Sequence, residues 1–449
     1  MSATDSITPL EKLNSLVASG TYSQVKNLID ILKPADIAAL LESIPFEQRA
    51  VIWNLIDPEQ QSEILQELNE DLVSDLLADS SIEEVVSLLE NIESHDDLTD
   101  LLQQLPDTIT QQLLRSMDTQ DRARVENLLS YPEDTAGGLM DTDTISVRAR
   151  VTVDVVLRYL RRHTELPAMT DNIFVVNHRD EYIGLLPLRR LLVSDPGMTV
   201  REVMITDIDP IEADTHESEV ASIFARYDLV SAPVIDGNGL LLGRITIDDV
   251  VDVIRDEADH SLLSMAGLTE DDDTFGPIWR TARSRAVWLG ANLLTAFLAS
   301  AVINLFEDTI AQVVALAVLM PIVASMGGVA GSQTLTLVIR SMAQGKLVDS
   351  NMFWIMRREL AVGMINGAVW AVVVAIGAYF VFGDFTLGLV IAMALIINLA
   401  AAALSGATLP RMLQKLNIDP AVAGSVVLTT ITDVVGFMSF LGLATLFYT

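Results

Sequence analysis

The sequence predicts a multidomain chain. An acidic all-α solenoid leads, a tandem α/β repeat and a long linking helix follow, and a polytopic α-helical membrane domain with five spans ends it. Three observations carry this. Half of the 449 residues are hydrophobic, although the net charge is −33. The two properties separate near residue 279: residues 280–449 hold nine Lys/Arg and seven Asp/Glu, whereas the part before them holds 19 and 54. Five apolar runs of membrane-spanning length stand in series after residue 280, and none precedes it.

The acidic half makes nucleic acid a poor partner, because phosphate is recognised by clustered Lys and Arg. It suits either solubility or attraction of cations. With no cysteine in the chain, disulfides and thiolate metal sites are excluded. The five histidines show no ligand spacing. No glycine-rich loop ending in Lys and Ser/Thr occurs, which argues against nucleotide hydrolysis.

Met1–Leu13 is polar and acidic, without the layout of a secretion signal, so the soluble part is expected in the cytoplasm. From about residue 10 to 130, apolar residues recur three to four apart, as in Leu72, Val73, Leu76, Leu77 and Leu98, Leu101, Leu102, Leu105. Pro45, Pro58 and Pro106 cut this pattern into short helices. Leu41–Pro45 and Leu102–Pro106 are loosely alike, the mark of a helical repeat. The polar face is rich in acids (Glu63, Glu67, Glu70, Asp71, Asp75, Asp79), most simply a solvated face.

Between residues 141 and 255 the character of the sequence changes. Ile173–Val176 and Tyr182–Leu186 predict strands, as do Ala232–Ile235 and Leu240–Ile245 around the turn Asp236-Gly-Asn-Gly239. Gly184 and Gly243 hold matching places 59 residues apart, so the unit is a tandem repeat. A helix follows from Asp248 towards Ala258, carrying Asp248, Asp249, Asp252, Asp256, Glu257 and Asp259. Like charges three and four apart repel on a helix, and bound divalent cations relieve this.

The apolar runs are Ala286–Phe306, Ile310–Ala343, Leu360–Phe382, Leu387–Leu409 and Ala421–Tyr448. Arg280, Arg283 and Arg285 precede the first; Arg340, Lys346, Arg357 and Arg358 lie between the second and third; Arg411 and Lys415 lie between the fourth and fifth. Positive charge stays on the cytoplasmic side, so the N-terminus is expected inside and the C-terminus outside, in contact with membrane lipid. In the second run, Gly327, Gly328, Gly331, Ser332 and Gln333 predict a broken helix whose freed backbone lines an ion path. Small residues also serve close helix packing, and Gly363 and Gly367 of the third run fit that role. Asp433 is the one carboxylate of the fifth run, near Ser425, Thr429 and Thr432. A charged Asp at the bilayer centre costs roughly 2.5–3.5 kcal/mol, which a passing cation or a protein partner must offset. One acid per chain is few for a divalent ion, so two chains around a shared axis are expected. Mg²⁺ releases its waters reluctantly, and a wide ring of carboxylate, hydroxyls and carbonyls suits the hydrated ion.

Three segments carry a resemblance: Tyr131-Pro-Glu-Asp-Thr-Ala-Gly-Gly-Leu-Met140, Gly327-Gly-Val-Ala-Gly-Ser-Gln333, and Asp419-Pro-Ala through Thr432-Asp-Val-Val-Gly436. From about residue 35 to the end the chain resembles the MgtE family of magnesium channels and transporters. The tandem repeat resembles a CBS-domain pair, with Gly243-Arg-Ile-Thr-Ile-Asp-Asp249 on its nucleotide motif. The resemblance implies a lead segment 1–34, a helical N domain 35–136, CBS repeats 137–200 and 201–255, a gating helix and linker 256–279, and a pore domain 280–449. It implies a homodimer in the inner or plasma membrane, not an enzyme, passing hydrated Mg²⁺ at Asp433. Spans two and five line the pore (Gly327, Gly328, Gly331, Ser332, Gln333, Ser425, Thr429, Thr432). Cytosolic Mg²⁺ at Asp249, Asp252, Asp256, Glu257 and Asp259 would close it, and Thr246 and Asp249 keep the residue types for ATP. The chain departs from the family pattern at Val329 and Ser332, where asparagines are usual, and at His260 and Ser261, where acids are. Pro187 and Arg190 alter the nucleotide motif of the first repeat. A Co²⁺ or broad divalent transporter, and a non-conducting Mg²⁺ sensor, are the alternatives.

Overall fold

A computed structural model describes residues 22–78, 80–92, 94–268, 274–347 and 349–448. The expectations for Met1–Leu13 and Asp79, and for the side chains of Glu70 and Asp71, lie outside the described residues. The chain forms two compact units. One holds the residues up to 257 with 274–277; the other holds 258–273 and 278 onward.

Among the described residues the first unit begins with nine helices of eight to ten residues: α1 Tyr22–Ile29, α2 Pro34–Glu42, α3 Phe46–Trp53, α4 Pro58–Leu65, α5 Glu70–Leu77, α6 Ile82–Leu89, α7 His95–Gln104, α8 Asp107–Ser116 and α9 Thr119–Leu128. The prolines start helices rather than merely ending them. Pro34 and Pro58 occupy the first turn, where a missing N–H is harmless, and Pro45 and Pro106 sit just before one. Ser81 and Glu84 form a reciprocal capping box on α6. From α2 onward each helix packs on the second one after it, α2 on α4 on α6 on α8 and α3 on α5 on α7 on α9, so the predicted solenoid is two interleaved columns. Ile44, Ile64, Val73, Leu89 and Leu113 fill the space between them.

Two three-stranded sheets follow. β1 Ser146–Arg148, β2 Asn172–Val176 and β3 Tyr182–Pro187 form the first; β4 Ile211–Glu212, β5 Ser231–Ile235 and β6 Leu241–Thr246 form the second. In each, a short parallel strand joins an antiparallel hairpin. Helices α10 Val153–Leu160, α11 Leu188–Val193, α12 Val200–Val203 and α13 Glu217–Tyr227 complete the repeats. The hairpins pair Val175 with Gly184 and Val234 with Gly243, and both bulge at the next residue. The two glycines match for one reason. A Cβ on Gly184 would lie 2.5 Å from the Ile205 carbonyl, and one on Gly243 2.6 Å from that of Asp141, because a bridging segment crosses each hairpin there. The edge strands β1 and β4 escaped the sequence reading, being only three and two residues long.

α14, Ile247–Met265, is longer than the expected Asp248–Ala258 and runs unbroken through the expected boundary at residue 255. The second unit contains α15 Ile278–Asn304, the short α16 Glu307–Gln312, α17 Ala315–Ala343, α18 Asp349–Phe382, α19 Phe385–Lys415 and α20 Pro420–Tyr448. The five long helices are each long and apolar enough to cross a membrane. α19 is central, packing on α17, α18 and α20, and α15 packs on α20. One expectation is corrected: α17 is not broken at Gly327-Gly328 or Gly331 but is a continuous helix. The interruption of the second run comes at Val313–Val314, between α16 and α17. Glycine permits a break without forcing one, and here its missing side chain is used for contact.

Candidate ion path and acidic clusters

On α17, Ser325, Gly328, Val329, Ser332, Thr336 and Arg340 recur at three- and four-residue steps and so form one stripe. From Ser325 to Arg340 it covers about 22 Å at 1.5 Å per residue. Together with Gln333 and, from α20, Thr429 and Asp433, it lines a groove of about 920 Å³. Of the expected pore residues, the groove gathers Gly328, Ser332, Gln333, Thr429 and Asp433. Gly327 and Gly331 face away from it: a Cβ on the first would lie 2.3 Å from Asn398 Nδ2, and on the second 2.9 Å from Leu428 Cδ1. They are contact glycines because adjacent helix positions point about 100° apart. Thr432 is fully buried and donates to the Thr429 carbonyl at 3.0 Å; Ser425 is half-buried outside the groove lining.

Asp433 is half-buried, and among the described residues no ion pair reaches it. Arg340 lies at the far end of the stripe, two turns beyond Gln333, and leaves the carboxylate uncompensated. Thr429 Oγ1 donates to the Ser425 carbonyl at 2.6 Å, which turns its lone pairs outward. A hydroxyl so oriented accepts from the water shell of a cation. The groove therefore offers one carboxylate and several acceptors, with the Arg340 guanidinium at the other end of the stripe.

A second polar space of about 210 Å³ lies behind it, between α17, α18 and α19, and Gln333 borders both. Glu359, 5% exposed, sits there against Arg358 and accepts from Thr334 Oγ1 at 3.3 Å. The sequence reading passed over Glu359 because Arg357 and Arg358 placed it with a polar connection. It also passed over Asn398, although a lone amide inside the apolar run Leu387–Leu409 was a visible signal.

The acids of α14 divide. Asp249 accepts from Thr246 Oγ1 at 3.1 Å, and burial, followed by the charges of Asp96 and Asp248, pushes it up to about 7. Asp97 and Asp100 of α7 belong to the same negative region. Burial raises Asp100 to about 8, helped by Asp96, Glu133, Asp97 and Asp249, and raises Asp97 to about 6, helped by Asp96. Asp141 joins them but is partly relieved by Arg244, at 3.0 Å. The sequence placed Asp249 in a candidate sensor and missed Asp96, Asp97 and Asp100, which lie some 150 residues earlier. Further along α14, burial raises Glu217 on α13, with Asp134, Asp256 and Glu257 adding to the shift. Asp252 and Asp259 are exposed. Among the described residues no three carboxylate or histidine side chains converge closely enough to ligate a bare metal ion. Thr246 is 5% exposed, its hydroxyl held by Asp248 and Asp249. Within the second unit, His260 Nε2 lies 2.7 Å from Asp419 Oδ2, and Asp419 also caps α20 through Ala421 N–H at 2.8 Å.

Comparison with known proteins matches the family model "Divalent cation transporter" over residues 320–443, the MgtE intracellular N domain over 32–134, and the CBS domain over 200–256. The magnesium transporter MgtE of Bacillus subtilis is 30% identical over 433 residues, covering 96% of both chains. That of Thermus thermophilus is 31% identical over 442 residues, covering 97% of both. Among solved structures, the cytosolic domain of the Mg²⁺ channel MgtE in complex with ATP is 33% identical, with TM-score 0.48, over 54% of this chain and 99% of that one. With relatives aligned over 96–97% of the chain and both the N domain and the membrane part matched, the chain belongs to the MgtE family of magnesium transporters.

Proposed function

We propose that this protein is a Mg²⁺-gated channel that passes hydrated Mg²⁺ down its electrochemical gradient and closes when cytosolic Mg²⁺ rises. The observation that carries the reading is the groove of the second unit, where Asp433, with no ion pair among the described residues, stands among hydroxyl, amide and backbone groups. A dication gains about 4.6 kcal/mol crossing 100 mV, so the membrane potential suffices as drive. Two copies would set two Asp433 side chains about one axis, which is why a homodimer belongs to the proposal. The N-terminus and the first unit are cytoplasmic and the C-terminus is outside, on the placement of the nine cations. The proposed domains keep the limits given above, and α14, which begins at Ile247 inside the second CBS repeat, continues into the gating helix.

The proposed sensor is the group Asp96, Asp97, Asp100 and Asp249, with Asp256 and Glu257 facing Glu217 as a second. Half-buried, mutually repelling carboxylates attract a dication, and Mg²⁺ is readily held through its waters where no bare-ion cage exists. Asp252 and Asp259 would add attraction from solvent. Within the second unit, the His260–Asp419 contact joins the C-terminal part of α14 to the cap of α20, the helix that carries Asp433. A nucleotide in the second repeat would compete with the Thr246–Asp249 bond. A broader divalent transporter, including Co²⁺, is favoured by one observation: Val329, 57% exposed in the groove, supplies no polar contact to discriminate one hydrated ion from another.

Ion-resolved flux through purified protein in liposomes, with internal Mg²⁺ varied, tests the proposal. Mg²⁺ entry that falls as internal Mg²⁺ rises is expected. Mg²⁺ binding with no flux would replace the channel by a non-conducting sensor, and equal Co²⁺ and Mg²⁺ entry would install the broader transporter.

A further inference from the structure

Asn398 stands at the middle of α19, the central helix of the second unit, and is fully buried. Its Nδ2 donates to the Val323 carbonyl of α17 at 2.8 Å. Val323 precedes Gly327 by four residues, so that carbonyl is also the helix acceptor of the Gly327 N–H. Among the described residues the Oδ1 of Asn398 is buried with no donor. Two other helices make room for this amide by omitting a side chain. A Cβ on Gly327 would lie 2.3 Å from Asn398 Nδ2, and one on Gly436 of α20 would lie 2.8 Å from it.

Both glycines adjoin the proposed path. Gly327 precedes the groove-lining Gly328, and Gly436 lies nearly one turn past Asp433. The amide is therefore wedged behind the point where α17 and α20, the two walls of the groove, come together. Packing alone does not account for an amide here: a leucine has a similar shape, and an orphaned acceptor in a membrane interior is costly. A polar group kept at a cost inside a membrane bundle marks function.

We infer that Asn398 is a positioning residue of the ion path: its bond to Val323 and its contact with Gly327 and Gly436 set the separation of the α17 and α20 walls beside Asp433, and so the width offered to a hydrated cation. The inference rests on the reading of the groove as the path. Width is read by the ratio of Mg²⁺ to Ca²⁺ flux, since Ca²⁺ sheds water readily and Mg²⁺ does not.

The test compares the full chain in liposomes with Asn398→Leu, which keeps the shape and removes the bond, and with Asn398→Ala, which removes both. Gly327→Ala is measured alone and together with Asn398→Ala. We expect Asn398→Leu to remain folded, with the Mg²⁺-to-Ca²⁺ ratio shifted at least about threefold. Gly327→Ala should shift the ratio in its own right, and the double variant should return part of the way because Ala at 398 accepts the new methyl. An unchanged ratio in folded Asn398→Leu and Asn398→Ala overturns the inference, and loss of folding in both assigns Asn398 to stability alone and overturns it too. The wild-type chain and Asp433→Asn accompany every measurement. If wild-type conducts nothing, or Asp433→Asn conducts normally, the reading of the path fails instead, and the two failures are told apart.

Discussion

Replacing Asp433 by Asn removes one charge from the groove and almost nothing else. The two side chains have nearly the same shape, and no ion pair among the described residues is broken. The size of the effect follows from Coulomb's law. With one water layer between carboxylate and ion, the centres lie about 5 Å apart. A dication and a single charge then attract by about 7 kcal/mol at an effective dielectric of 20, and by about 2 kcal/mol at that of water. Asp433 is half-buried in an open groove, so the true value lies between these limits. Even the lower one corresponds to a fall of at least about tenfold in flux at subsaturating Mg²⁺, since 1.36 kcal/mol is a factor of ten. The assay is Mg²⁺ entry into liposomes with a trapped indicator, alongside thermal unfolding of the same preparation. Asn is expected to leave the unfolding midpoint unchanged or raise it, because a charge in an apolar bundle is removed. A folded Asp433→Asn protein that carries Mg²⁺ at the wild-type rate would refute the argument.

The carboxylates of the first unit predict a pH dependence with a definite sign. Asp97, Asp100 and Asp249 hold protons more tightly when folded than when unfolded. Stability is therefore full below the unfolded value near 4 and is lost as pH rises towards about 8. Amide hydrogen exchange in α7 should quicken from about pH 5 to about pH 8, slow again with added Mg²⁺, and lose most of both responses in Asp100→Asn. An α7 whose exchange, corrected for intrinsic rate, ignores pH would count against the cluster. At Gly331, a valine would press on the buried Leu428 and should cost about 1–3 kcal/mol by overpacking. Leu428→Ala in the same chain should recover part of that loss, and independent effects in a thermal-unfolding cycle would show that the two residues do not touch.

Much of the architecture was legible because it depends on local periodicity. Runs of about 20 apolar residues announced the five long helices, a period of three to four announced the solenoid, and Gly184 with Gly243 announced a repeated hairpin. Asp433, Ser332, Gln333 and Thr429 could be singled out because polar groups inside apolar runs are costly. The same cost marked Asn398, but its partners Val323, Gly327 and Gly436 come from two other helices.

What the residues alone determined about this protein is which segments are apolar, which acids they carry, and which positions share a helix face. Only the tertiary structure decided what each face meets: that Gly328 looks into the groove while Gly327 receives Asn398, that α17 stays whole across its glycines, and that Asp249 is confronted by acids of α7. The physical reason is range. Hydrophobic period and charge cost act over a few neighbouring residues, whereas close packing and mutual charge repulsion belong to groups that the chain brings together from far apart.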